Sequence, residues 1–74
     1  MNYAKATTEQ ELLDMVAHLE GKGYKKHKAC LSGNTSTCHP YVGIMHGGGL
    51  IYNTLEPAWW LQGNEVSVAE FLKQ

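Results

Sequence analysis

Apolar and polar positions change their period several times along this chain, and each change marks an element. Leu12, Val16 and Leu19 recur at helical spacing, with Leu13 and Met15 widening the stripe. Thr8 followed by Glu11 is a capping box, and Thr7 with Gln10 repeats the pattern one residue earlier. Glu9 and Glu11 in the first turn suit the helix dipole. At the other end, Gly23 in the C′ place would bring Tyr24 against Leu19, the apolar pair of a Schellman ending. The pattern predicts a helix over residues 8–22.

Tyr24 to Leu31 (YKKHKACL) then alternates, with His27, Ala29 and Leu31 on one side and Tyr24, Lys26, Lys28 and Cys30 on the other. This reads as an edge strand whose lysines discourage stray pairing. Ser32 to Pro40 is turn chemistry throughout and predicts a surface loop. Two runs rich in Val, Ile, Leu and Tyr follow, Tyr41–His46 and Leu50–Leu55, parted by Gly47-Gly48-Gly49. They predict a β-hairpin at the centre of the sheet. A turn confined to the three glycines would set Ile44 opposite Tyr52, Val42 opposite Thr54, and Gly43 opposite Asn53. Both faces of that hairpin are largely apolar, so each needs a cover, the second from the C-terminal unit or from another subunit.

Glu56-Pro57 interrupts the pattern. Ala58 to Leu61 reads as a short strand, in which Trp59 and Trp60 would face opposite sides and one would enter the core. Gly63-Asn64 turns the chain, and Ser67 with Glu70 opens a short helix over Val68, Phe71 and Leu72. Residues 1–6 read as a lead-in or a short strand. The expected fold is therefore a single α+β domain spanning 1–74. A small antiparallel sheet of three to four strands is packed by an N-terminal helix and a short C-terminal helix.

Size sharpens this picture. A chain of 74 residues buries only about 60% of its unfolded surface, which favours oligomerisation, most simply a homodimer. The opening MNYAKATTEQE lacks an apolar core, and no run approaches the roughly 18 apolar residues of a membrane span. Two cysteines suit a reducing compartment. The expectation is a cytoplasmic protein with no membrane partner.

Charge changes the picture through its distribution. The formal net charge is −1, but Lys22, Lys25, Lys26 and Lys28 crowd into seven residues, while Glu9, Glu11, Asp14 and Glu20 precede them. There is no arginine, the residue of choice for bidentate phosphate and guanine recognition, which argues against a polymeric nucleic-acid partner.

Three chemistries can be weighed on the residues. Cys and His are the ligands zinc prefers, and His27, Cys30, Cys38 and His39 are the low-ranking candidate set for a structural zinc module. Their spacing forms no C-x-x-C knuckle, so neither metal nor cofactor is expected. Cys38-His39 supplies no third group to orient a base, and His46-Gly47-Gly48-Gly49 lacks the nucleophile elbow that an oxyanion loop serves. No catalysis is expected.

What remains is binding. Lys25, Lys26, Lys28, Tyr41, His46, Gly47, Gly48, Tyr52, Trp59 and Trp60 form the candidate binding set. The first reading is a small non-enzymatic interaction protein that binds a protein partner stoichiometrically. Its build is that of phage-type accessory or inhibitor proteins, with no motif tying it to one family. The alternative is oligomeric capture of a nucleotide-like anion by the glycine turn, lysines and aromatics.

Overall fold

The computed structural model describes residues 1–30 and 39–74. Its elements are β1 (Tyr3–Lys5), α1 (Glu9–Gly21), β2 (Tyr41–Ile44), β3 (Ile51–Thr54), α2 (Pro57–Trp60), β4 (Glu65–Val66) and α3 (Val68–Phe71). The α+β class is borne out: a four-stranded sheet in the order β3-β2-β1-β4 carries a long N-terminal helix and short C-terminal ones.

Helix α1 forms as its caps dictate. Thr8 accepts from the Glu11 N–H at 3.1 Å, while the Glu11 carboxylate reaches one residue further back, to the Thr7 N–H and hydroxyl at 2.8 and 2.6 Å. Those bonds favour the ionised form and hold the Glu11 carboxyl below its ordinary range. At the C-terminus the Tyr24 N–H donates to the Leu19 carbonyl and the Gly23 N–H to Glu20, at 3.2 and 3.0 Å, the paired bonds of a Schellman ending. Leu12, Met15, Val16 and Leu19 face inward and pack on Ala4, Val42, Ile44 and Ile51, with Phe71 of α3 completing the core.

Four expectations need correction. First, the hairpin register slips by one residue. The pairs are Tyr41–Thr54, Val42–Asn53, Gly43–Tyr52 and Ile44–Ile51, because the Met45 N–H donates to the Leu50 carbonyl (2.8 Å) and His46 joins the three glycines in the turn. In a sheet a slip of one changes which residues share a face across the two strands. Val42, Ile44, Ile51 and Asn53 thus line the helix-covered face, and Tyr41, Gly43, Tyr52 and Thr54 line the other. Asn53 enters the core side because its amide donates to the His39 carbonyl at 3.1 Å.

Second, Tyr24–Leu31 is no strand over its described part. Lys26 makes an isolated parallel bridge to Ile51, fixed by Ile51 N–H to Lys25 carbonyl (2.8 Å) and His27 N–H to Ile51 carbonyl (2.9 Å). The chain then turns, because Cys30 N–H bonds back to the His27 carbonyl and Ala29 N–H to its Nδ1. Leu31 and most of the expected loop, through Cys38, lie outside the described residues.

Third, Ala58–Leu61 is mostly helical. Pro57 takes the first turn of α2, where its missing N–H costs nothing, and only Leu61 returns to extended backbone, as a bridge to Met45. Fourth, the sheet is mixed: β1 pairs antiparallel with β2 but parallel with β4.

The second sheet face has part of its cover within the chain. Leu61 is 1% exposed, and its side chain lies over Gly43. A Cβ at Gly43 would stand 2.8 Å from the Tyr3 Cβ and 3.3 Å from the Leu61 Cδ1. Gly43→Ala should therefore cost about 1–3 kcal/mol, read as a lower urea midpoint, because two packed strands have to part. An unchanged midpoint would show that Leu61 is not seated there.

Candidate partner-binding surface

Helix α2 is a single turn with no buried residue. It has no side-chain cap, and its register is fixed by the Leu61 N–H donating to the Pro57 carbonyl at 2.8 Å. Beyond it, residues 60–62 run beside the end of β2. The His46 N–H donates to the Trp60 carbonyl (3.0 Å), the Gln62 N–H to Ile44 (2.8 Å), and the Gln62 amide to the Met45 carbonyl (2.9 Å). These bonds anchor α2 at both its exit and the glycine turn, so its side chains project from a fixed backbone.

Neither tryptophan enters the core, contrary to the strand-based expectation. Leu61 takes the inward place, and a helical turn sends the two preceding residues outward together. Trp59 is 78% exposed, Trp60 48% and Leu55 59%. The Trp60 ring leans on Tyr52 at 6.1 Å between centroids, and Tyr52 meets the His27 ring edge-on at 5.4 Å. A continuous row thus runs His27, Tyr52, Trp60 across the second sheet face and onto α2.

The remaining candidates sort around this row. Lys25, Lys26 and Lys28 are exposed in or just after the segment bonded to β3 on its outer side, with Lys26 on the α1 face of its bridge partner Ile51 and Lys25 on the face of His27. His46, Gly47 and Gly48 form an exposed turn tied through the His46 N–H to the end of α2. Tyr41 stands apart, at the far end of β2. Its ring meets Tyr3 edge-on at 6.0 Å, and the Lys5 ammonium lies 5.9 Å from its centroid, within the range of a cation–π contact. The sequence reading missed Leu55 and Lys5. Leu55 had a signal, an apolar residue beside Pro57, but it was assigned to a strand rather than to its exposed continuation.

The metal candidates do not converge among the described residues, where no group of three or more His, Cys, Asp or Glu side chains could hold an ion. His27 Nδ1 already accepts from the Ala29 N–H at 3.0 Å, and Cys38 lies outside the described residues. Burial pushes the Cys30 thiol up, with Lys26 opposing and Glu20 adding to the rise, which keeps it protonated rather than nucleophilic at neutral pH. His39 contributes its carbonyl to Asn53, as described above.

Among the described residues, no helix is long and apolar enough to cross a membrane. No family model, curated protein or solved structure matches this chain.

Proposed function

We propose that this protein acts by stoichiometric binding to a protein partner, without a catalytic step, and that Leu55, Trp59 and Trp60 form the contact. The observation that carries this reading is the exposure of Trp59, 78% in a chain of 74 residues. Burying a large apolar side chain is worth about 1.5–3 kcal/mol, and this fold leaves that gain untaken while holding the helix that bears the ring in place. Tryptophan is also the residue most enriched at the energetic centres of interfaces. The reading includes a reducing, cytoplasmic setting, supported by the two cysteines of the chain.

Site-specific photo-crosslinking in the producing cell tests the reading. A photoreactive residue at Trp59 is expected to yield one discrete protein adduct of 1:1 stoichiometry by mass spectrometry. The same residue at Ala17, exposed on α1, is expected to yield none. Equal labelling from both positions, or none from either, would remove the proposal.

A second reading, capture of a nucleotide-like anion, draws on one observation. The His27 ring meets Tyr52 edge-on at 5.4 Å, and Lys25 precedes it in the segment bonded to Ile51 just past the glycine turn, which supports a stacked base with an anionic group nearby. It requires a rise in melting temperature with added nucleotide, by mass action, and loss of that rise in Lys26→Ala.

A further inference from the structure

The His27 side chain makes a bond that only one of its protonation states permits. A backbone N–H can only donate, so the Ala29 N–H, 3.0 Å from the His27 Nδ1, requires that nitrogen to offer a lone pair. Neutral imidazole does so with its proton on Nε2, whereas the imidazolium is a donor at both nitrogens and cannot accept. With the Cys30 N–H bonded to the His27 carbonyl at 2.8 Å, this contact closes the turn after Lys26. The turn follows directly on the two bonds that tie the segment to the outer side of β3, from the Ile51 N–H to the Lys25 carbonyl and from the His27 N–H to the Ile51 carbonyl. The same ring rests edge-on against Tyr52, 5.4 Å between centroids. One imidazole thus joins the turn, the sheet edge and the second sheet face.

We infer that residues 25–30 form a pH-sensitive clasp on β3, closed while His27 is neutral and released when it gains a proton. Protonation sets two N–H groups against each other, so either the turn or the ring has to give way. It also adds a fourth cation to a segment that already carries Lys25, Lys26 and Lys28. From β3 the ring is faced by Tyr52, with Trp60 of α2 behind it, and from α1 Glu20 acts on Cys30 together with Lys26. Lysine, tyrosine, thiol and carboxylate groups ordinarily hold one charge state over the range in which histidine side chains titrate. The imidazole is therefore the group of this cluster that responds. Release uncovers the Ile51 N–H and carbonyl and takes the His27 ring off Tyr52, so the clasp acts on the aromatic row that bears Trp60. The device does not depend on the identity of any partner.

Amide hydrogen exchange followed by NMR on the full chain, at about pH 7.5 and about pH 5, tests this. The readout is the protection of the Ile51 N–H, each rate corrected for the unstructured-chain rate at that pH. It is taken relative to the Met45 N–H, whose bond to the Leu50 carbonyl lies in the same hairpin. Loss of one neutral hydrogen bond should lower the wild-type ratio roughly fivefold on acidification. In His27→Asn the side-chain oxygen can accept from the N–H two residues on at either pH, so the ratio is expected to stay high at both. In His27→Ala it is expected to be low at both. A wild-type ratio that does not move, or one that falls equally in His27→Asn, overturns the inference. So does a His27→Ala ratio equal to that of the wild type at the higher pH.

Discussion

Phe71→Ala is expected to lower stability by about 3–5 kcal/mol, the largest loss from any single truncation in this domain. Phe71 is fully buried and is the largest side chain in the core. It belongs to a one-turn helix, Val68–Phe71, that has few other means of staying docked. The Ser67 hydroxyl accepting from the Glu70 N–H at 3.1 Å shapes that turn but does not attach it. Attachment comes from Phe71 lodged among α1 and β1, with the His18 ring 5.9 Å from its own. Removing the ring opens a cavity and frees the C-terminus, whose Gln74 side chain accepts from the Asn2 N–H at 3.1 Å and whose carbonyl meets His18 Nε2 at 3.2 Å. A domain of this length has roughly 4–11 kcal/mol to lose, so the variant is expected to be largely unfolded at 37 °C. Urea denaturation followed by far-ultraviolet circular dichroism is the right measure, because both tryptophans sit in exposed α2 and report the core weakly. Leu72→Ala, at a neighbouring position 38% exposed, should cost under about 1 kcal/mol. Equal losses at the two positions would mean that α3 is not docked through Phe71.

How far the sequence discloses this molecule depends on whether each signal is local. Helix α1 was fully legible, because its ends are set by short-range bonds: the Thr8 hydroxyl accepts from the Glu11 N–H three residues on, and the Leu19 carbonyl accepts from the Tyr24 N–H five residues on. The α3 start at Ser67 was legible for the same reason. The hairpin existed in the pattern, but its register did not. Three glycines in a row accept several turn geometries, and what selects one here is distant: Ile51 is gripped from outside by Lys25 and His27. Tyr24–Leu31 alternates convincingly, yet its single bridge gives way to a turn that the His27 ring itself stabilises. Strand β1 has three residues and β4 two, too few for any period to show. Their parallel pairing arises only after the chain has wrapped around the domain.

The candidate surface was half legible. The aromatic and lysine residues were identified, but the strand reading of Ala58–Leu61 forced one tryptophan inward. Four residues cannot distinguish a period of 2 from one of 3.6 when all are apolar, so Pro57 had to arbitrate. A proline that breaks a strand is equally a proline that starts a helix. Once α2 is a turn of helix, Leu61 fills the space over Gly43 and both rings are left outside. The exposed strip is thus a direct consequence of Leu61 seating itself in the notch that Gly43 leaves.

The backbone that presents this strip is closed by Gly63, and Gly63→Ala is expected to cost about 3 kcal/mol. Two effects combine there. Its φ of +81° lies in the left-handed region, where a Cβ costs roughly 1–2 kcal/mol. The added Cβ would also collide with the Met1 carbonyl oxygen and approach the Asn2 Oδ1 and Cα to 2.6 and 2.9 Å, a crowding worth another 1–3 kcal/mol or so. The collision cannot relax cheaply, because Asn2 is held in place. Its Oδ1 accepts from the Asn64 N–H at 3.0 Å, and the next residue, Tyr3, donates its own N–H to the Asn64 carbonyl at 3.1 Å. Moving Asn2 aside therefore releases the parallel β1–β4 pair, the strand pairing that joins β4 to the sheet among the described residues. Gly48 provides the internal comparison, with a similar φ of +85° and nothing within 4 Å of where its Cβ would stand. Gly48→Ala should cost only the backbone strain, about 1 kcal/mol. With a urea m-value near 1 kcal/mol/M for a small domain, the two midpoints should fall by about 3 M and about 1 M. Matching shifts would show that Gly63 is selected by its dihedral alone and that the chain start is not packed against it. A larger shift at Gly63, accompanied by loss of the crosslinked adduct from position 59, would tie the N-terminal strand to the presentation of Trp59.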